Sequence, residues 1–81
     1  MDKITQNILS IMEDIFGVPA DKIPDNAEPS MIETWDSLKH MMLLLALEEE
    51  FDIRFSDEEM VEMLSLPIII DVISAKCAEK Q

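Results

Sequence analysis

The residue best placed for chemistry in this chain is Ser37, which lies between Asp36 and Leu38 at the start of a long apolar segment. A serine hydroxyl is a weak nucleophile unless a neighbouring base activates it. His40, the single histidine, lies three positions on and can approach Ser37 across one helical turn. No acidic side chain is placed to orient that imidazole, so we expect no catalytic residue. Ser37 is then either an attachment point for a covalent group or a residue that only begins a helix.

The element that positions Ser37 is a predicted helix from Ser37 to about Phe51. Asp36 is the expected N-cap, because its carboxylate can accept hydrogen bonds from free backbone amides of the first turn. Trp35 precedes the cap and can pack against that turn.

A first amphipathic helix is predicted from about Lys3 to Phe16, with Gly17 just past its end. Three prolines then make an α-helix between Val18 and Ser30 improbable. We therefore expect a loop of about twenty residues, a length that in a compact domain indicates function or disorder. Apolar side chains favour an ordered loop that presents Ser37. They are Ile23, Met31, Ile32 and Trp35.

A short third helix is predicted from about Asp57 to Leu64, where Ser56 and Glu59 form a capping box. A fourth is predicted from about Leu66 to Glu79, with Ser65 as its N-cap. The chain has no alternating strand pattern, so the expected fold is all-α: a small, antiparallel-type four-helix bundle with a long loop between helices 1 and 2 and a short third helix. Three methionines are expected near the core between the second and third helices: Met41, Met60 and Met63.

The second helix carries apolar side chains on two opposite faces at about 100° per residue. One face has His40, Leu43, Leu44, Leu47 and Phe51, and the other has Leu38, Met42 and Leu45, with Glu49. A helix that is apolar all round is either wholly buried or keeps one face for a partner. The second face is thus a docking surface beside Ser37, unless the loop covers it.

Composition limits the possible functions of the chain. With 81 residues, it forms one domain, residues 1–81. The net charge of −12 excludes nucleic acid and anionic membranes as expected partners and favours basic patches on other proteins. Cys77 is the single cysteine, so we expect no disulfide and no metal site. Its place on the apolar face of the fourth helix predicts a buried, inert thiol. Residues 1–5 lack a secretory pattern and no apolar run is long enough to span a bilayer, so we expect a cytoplasmic monomer.

The segment WDSLKHMMLLLALEEEF, from Trp35 to Phe51, resembles the second helix of the acyl carrier proteins. The resemblance extends over most of the chain, through Phe55-Ser56-Asp57-Glu58-Glu59. It implies that Ser37 carries 4′-phosphopantetheine, whose thiol bears an acyl group as a thioester. A phosphopantetheinyl transferase that uses coenzyme A would attach the arm, with Asp36 as part of its recognition site. The resemblance also implies that the chain is not an enzyme.

In that family, partner enzymes recognise the second helix. The partners implied here are enzymes of lipid or of secondary-metabolite and glycoconjugate biosynthesis. The implied docking residues are Leu38, Lys39, Met42, Leu45 and Glu49. Lys39 and Met42 depart from the fatty-acid type, which has acidic residues at both positions, so a fatty-acid synthase partner does not carry over. An aminoacyl (D-alanyl-type) or peptidyl carrier, or an acidic helical adaptor without a prosthetic group, remains an alternative.

Overall fold

A computed structural model describes residues 3–80 of the chain. Its helices are α1 (Lys3–Phe16), α2 (Ser37–Phe51), α3 (Asp57–Glu62) and α4 (Leu66–Lys80), and the 3₁₀ turns Ala20–Lys22 and Pro29–Met31 lie between α1 and α2. No strand occurs in this described range. The predicted all-α bundle with a long loop and a short third helix is confirmed. Met1 and Asp2, which entered the prediction about a secretory leader, lie outside the described residues, as does Gln81.

The bounds of α1 and α2 agree with the prediction, whereas α3 ends two residues earlier and α4 one residue later than predicted. Gly17 ends α1 in the left-handed region at φ 71°, and its N–H donates to the Glu13 carbonyl at 2.9 Å. Glycine is favoured there because a Cβ would make this conformation costly.

The core is built mainly from side chains of α1, α2 and α4, and α1 packs against both of the other two. Its largest fully buried side chains are Ile8, Met12, Leu43, Leu44, Leu47, Met63, Leu66, Ile69 and Ile73. Cys77 is only partly buried and packs against this cluster, so its thiol is less enclosed than expected. Met63 is in the core and Met60 packs against it, as predicted.

The placement of Met41 near the core is wrong, because its side chain is 47% exposed. Met41 lies one helical turn before Leu45, and side chains four residues apart share a helix face. Met41 therefore lies with Leu45 on the exposed side of α2, away from Leu43 and Leu47.

The loop between α1 and α2 is ordered against the bundle, as expected. The Thr34 hydroxyl donates a hydrogen bond to the Phe16 carbonyl at 2.8 Å, and the Leu66 N–H donates to the Ala27 carbonyl at 2.8 Å. Ile23, Ile32 and Trp35 are buried. Met31, expected to be a further anchor, is 50% exposed and does not hold the loop. Two contacts to helix ends and three buried side chains thus fix the chain that leads to Ser37.

The predicted capping box of α3 is present. The Glu59 N–H donates to Ser56 Oγ at 3.1 Å, and the Ser56 N–H donates to Glu59 Oε1 at 2.8 Å. Lys76 Nζ of α4 lies 3.0 Å from the same oxygen. The Ser56 N–H, followed by Lys76, lowers the pKa of the Glu59 carboxyl. The carboxylate of Glu59 therefore belongs to the cap of α3 and also forms an ion pair with Lys76 of α4.

Candidate functional site around Ser37

Ser37 is the first residue of α2, and Asp36 holds the chain immediately before it. Asp36 has an extended backbone, and its Oδ1 accepts a hydrogen bond from the Lys39 N–H at 2.8 Å. The Asp36 carbonyl accepts the first helical hydrogen bond, from the His40 N–H at 2.8 Å. This geometry confirms Asp36 as the N-cap and fixes the direction in which α2 leaves the loop.

The Ser37 side chain is exposed, and no other described residue forms a hydrogen bond with its hydroxyl. It lies at the edge of a cleft of about 330 Å³ that is lined by Pro29, Trp35, Asp36, Ser37, His40 and Leu64. A phosphodiester on this oxygen would stand at the N-terminal end of α2, where free amides and the helix dipole favour negative charge. The residues present thus fit a phosphate-linked group on Ser37.

His40 faces Trp35 rather than Ser37. The Trp35 indole Nε1–H donates to His40 Nδ1 at 2.9 Å, and the two ring planes are inclined by 27° with centroids 5.9 Å apart. The other ring nitrogen, Nε2, is buried without a hydrogen-bond partner among the described residues. Burial lowers the pKa of the His40 imidazole. With one nitrogen occupied and the other enclosed, His40 is not placed to act as a base toward Ser37.

One face of α2 beside Ser37 is open to solvent. Leu38, Met42 and Leu45 are 69%, 43% and 56% exposed, so the loop does not cover them. Met41 extends the same face, and Glu49 is exposed at its far end. We call Leu38, Met41, Met42, Leu45 and Glu49 the outer face of α2. Lys39, the remaining predicted docking residue, is half-buried beside it.

The acidic residues near this face differ in their contacts. Glu48 is half-buried, and its Oε2 accepts a hydrogen bond from the Phe55 N–H at 2.8 Å, which holds the chain after α2. Glu49, Glu50 and Glu58 are exposed. Within residues 3–80, no group of three His, Cys, Asp or Glu side chains is arranged to hold a metal ion. In the same range, no helix is both long and apolar enough to cross a membrane.

The amino-acid sequence can now be compared with those of known proteins. No protein-family model matches the chain. The acyl carrier protein of Buchnera aphidicola subsp. Schizaphis graminum (strain Sg) is 34% identical over 76 residues, which cover 94% of this chain and 96% of that protein. The chain belongs to the acyl carrier protein family. Its general role is therefore that of a carrier protein, in agreement with the resemblance found from the Asp36-Ser37-Leu38 segment.

In this member of the acyl carrier protein family, Asp36, Ser37 and Leu38 lie at the N-terminal end of α2. Met42, Leu45 and Glu49 lie along the exposed side of the same helix. Sequence reasoning missed Leu64, which follows α3 and is 56% exposed, yet lines the cleft beside Ser37. It also missed the hydrogen bond between Trp35 and His40. The five-residue separation of that pair spans a loop and a helix start, so no helical periodicity indicates it.

Proposed function

We propose that this protein carries acyl groups as thioesters on a 4′-phosphopantetheine arm attached to Ser37. The observation that carries the proposal is the placement of the Ser37 hydroxyl. It is exposed and free of hydrogen bonds among the described residues, and it lies directly after the Asp36 N-cap. The arm, when bound, supplies a thiol that holds the acyl group. The contribution of the chain itself is to fix the position of the serine and to offer a surface for recognition.

A separate phosphopantetheinyl transferase supplies the arm from coenzyme A, since His40 Nδ1 accepts a hydrogen bond from Trp35 and is not available to activate Ser37. One oxygen of the Asp36 carboxylate accepts a hydrogen bond from the Lys39 N–H, which fixes the position of Ser37 between them. Asp36 is also exposed, so the transferase can contact it directly. The chain has no catalytic task of its own and works as a single domain, residues 1–81.

The outer face of α2 is the proposed docking surface for partner enzymes of lipid or of secondary-metabolite and glycoconjugate biosynthesis. Apolar side chains contribute contact area, and the exposed carboxylates favour basic patches on the partner. Lys39 places a positive charge next to Leu38 and Met42, where an enzyme that expects carboxylates would meet a like charge. This favours a dedicated carrier over one that serves fatty-acid synthase. We further propose that the protein acts in the cytoplasm as a monomer.

Intact-mass spectrometry tests the attachment. The purified protein is incubated with coenzyme A, Mg²⁺ and a broad-specificity phosphopantetheinyl transferase. Wild type should gain one phosphopantetheine unit, and Ser37→Ala should gain none. Ser30→Ala is the matched control, because Ser30 is also exposed and lies in the loop, with its hydroxyl bonded to Glu28. It should be modified like wild type. An unmodified wild type beside a modified reference carrier would support the adaptor alternative instead.

A further inference from the structure

The contact between Trp35 and His40 joins the end of the loop to the first turn of α2. The Trp35 side chain is 3% exposed and stacks on Phe16 of α1, with ring centroids 5.0 Å apart. Its indole N–H donates to His40 Nδ1 at 2.9 Å. A buried donor that loses its acceptor destabilises the folded state by more than the hydrogen bond itself contributes. His40 therefore supplies the acceptor that allows Trp35 to be buried directly before Asp36 and Ser37.

This hydrogen bond requires a neutral imidazole. A ring nitrogen that accepts a hydrogen bond carries no proton, so the proton of His40 is on Nε2. Protonation would turn Nδ1 into a second donor that faces the indole N–H. It would also place a charge on a ring whose Nε2 is buried with no hydrogen-bond partner among the described residues. Burial lowers the pKa of His40, which agrees with a site that favours the neutral form.

The described residues that line the cleft with His40 include one charged side chain, that of Asp36, whose Oδ1 accepts a hydrogen bond from the Lys39 N–H. Phe16 of α1 stacks on Trp35. Pro29 of the loop and Leu64, which follows α3, line the cleft together with Trp35 and His40. Phe16, Pro29 and Leu64 are all apolar.

We infer that His40 is a positioning residue for the modification of Ser37, because as a neutral imidazole it holds Trp35 and thereby the chain from Ile32 to Asp36. The inference rests on the proposed attachment of phosphopantetheine to Ser37. His40 does not touch the reacting atoms in this role. Protonation of His40 releases Trp35 and loosens the segment that the transferase must recognise.

Two substitutions of His40 separate this role from simple packing. In His40→Asn, the side-chain oxygen can accept at the position of Nδ1 without titrating, and in His40→Leu the acceptor is lost. Leucine has a higher helix propensity than asparagine, so a weakened α2 would harm the asparagine variant more. For the rate of arm attachment near neutral pH, we expect the opposite order. His40→Asn should be modified at a rate close to that of wild type. His40→Leu should be slower by at least about fivefold, because the buried indole N–H of Trp35 is left without an acceptor. In a Trp35→Phe background, His40→Leu should cause no further loss.

The pH dependence gives the sharper test. The fluorescence of Trp35, the single tryptophan, locates the pH at which His40 titrates in wild type. Below that midpoint, the attachment rate of wild type divided by that of His40→Asn should fall by at least about fivefold, since only wild type loses its acceptor. The ratio also removes the pH dependence of the transferase. A ratio that stays constant through the titration, with both proteins modified, overturns the role of His40 alone. Absence of modification in every variant at every pH overturns the proposed attachment and this inference together.

Discussion

Two substitutions on opposite faces of α2 should have very different effects on stability. Leu47 is completely buried in the core, whereas Leu45, two residues earlier on the same helix, is 56% exposed. Leu47→Ala and Leu45→Ala remove the same atoms from the same helix. The contribution of helix propensity is therefore the same in both variants and cancels in the comparison.

The expected magnitudes follow from burial. Leucine-to-alanine changes at fully buried sites cost about 2.7–5 kcal/mol, because both the transfer of the side chain and the remaining cavity contribute. For a domain of this size, such a loss corresponds to a decrease in Tm of roughly 10 °C or more. Leu45→Ala should change the free energy of unfolding by less than about 0.5 kcal/mol, as is usual for surface sites. The same change should weaken partner binding, since Leu45 belongs to the outer face of α2.

Urea denaturation followed by circular dichroism measures both values, with Trp35 fluorescence as a second probe. If Leu45→Ala destabilised the protein as strongly as Leu47→Ala, the outer face would be a second core face, and the docking surface proposed here would not exist.

Three further outcomes are expected. Gly17→Ala should cost about 1 kcal/mol of stability from its positive φ alone, since apart from Gly17 and its two chain neighbours no atom of the described residues lies within 4 Å of a Cβ placed there. An unchanged midpoint in urea would contradict the left-handed helix end. Moderate salt or millimolar Mg²⁺ should raise Tm, because a net charge of −12 opposes the compact state; a Tm independent of salt would show that Arg54 and the lysines already balance the carboxylates. The modified wild type should be a poor substrate for a fatty-acid malonyl transferase, and Lys39→Asp combined with Met42→Glu should improve it. Turnover of wild type equal to that of a fatty-acid carrier, with no gain from the double change, would refute the proposed partner preference.

Local sequence signals predicted most of the fold. The apolar spacing of α1, the Asp36 cap of α2 and the Ser56–Glu59 capping box each depend on residues within one or two helical turns. Such patterns are visible in a single sequence. Ser37 was predicted as the site from the Asp36-Ser37-Leu38 triplet after a proline-containing loop and from the resemblance of this segment to the acyl carrier proteins.

Contacts between distant residues were not accessible in this way. The placement of Met41 near the core is a different kind of error, because it relied on residue type although the four-residue spacing from Leu45 indicates the exposed side of α2. The predicted anchor role of Met31 is also wrong: Met31 ends the 3₁₀ turn Pro29–Met31, and its side chain is 50% exposed. The pairing of Trp35 with His40, and the approach of Leu64 to Ser37, depend on how loop and helices pack together.

Localisation of the prosthetic group by tandem mass spectrometry tests the central claim most directly. The protein is co-expressed with a phosphopantetheinyl transferase, digested, and fragmented to assign the modified residue. The arm should be found on Ser37 in the peptide that contains Trp35 and Asp36, and on no other serine. A chain that stays unmodified beside a modified reference carrier, or an arm located on a different residue, would contradict the assignment of Ser37 as the carrier site.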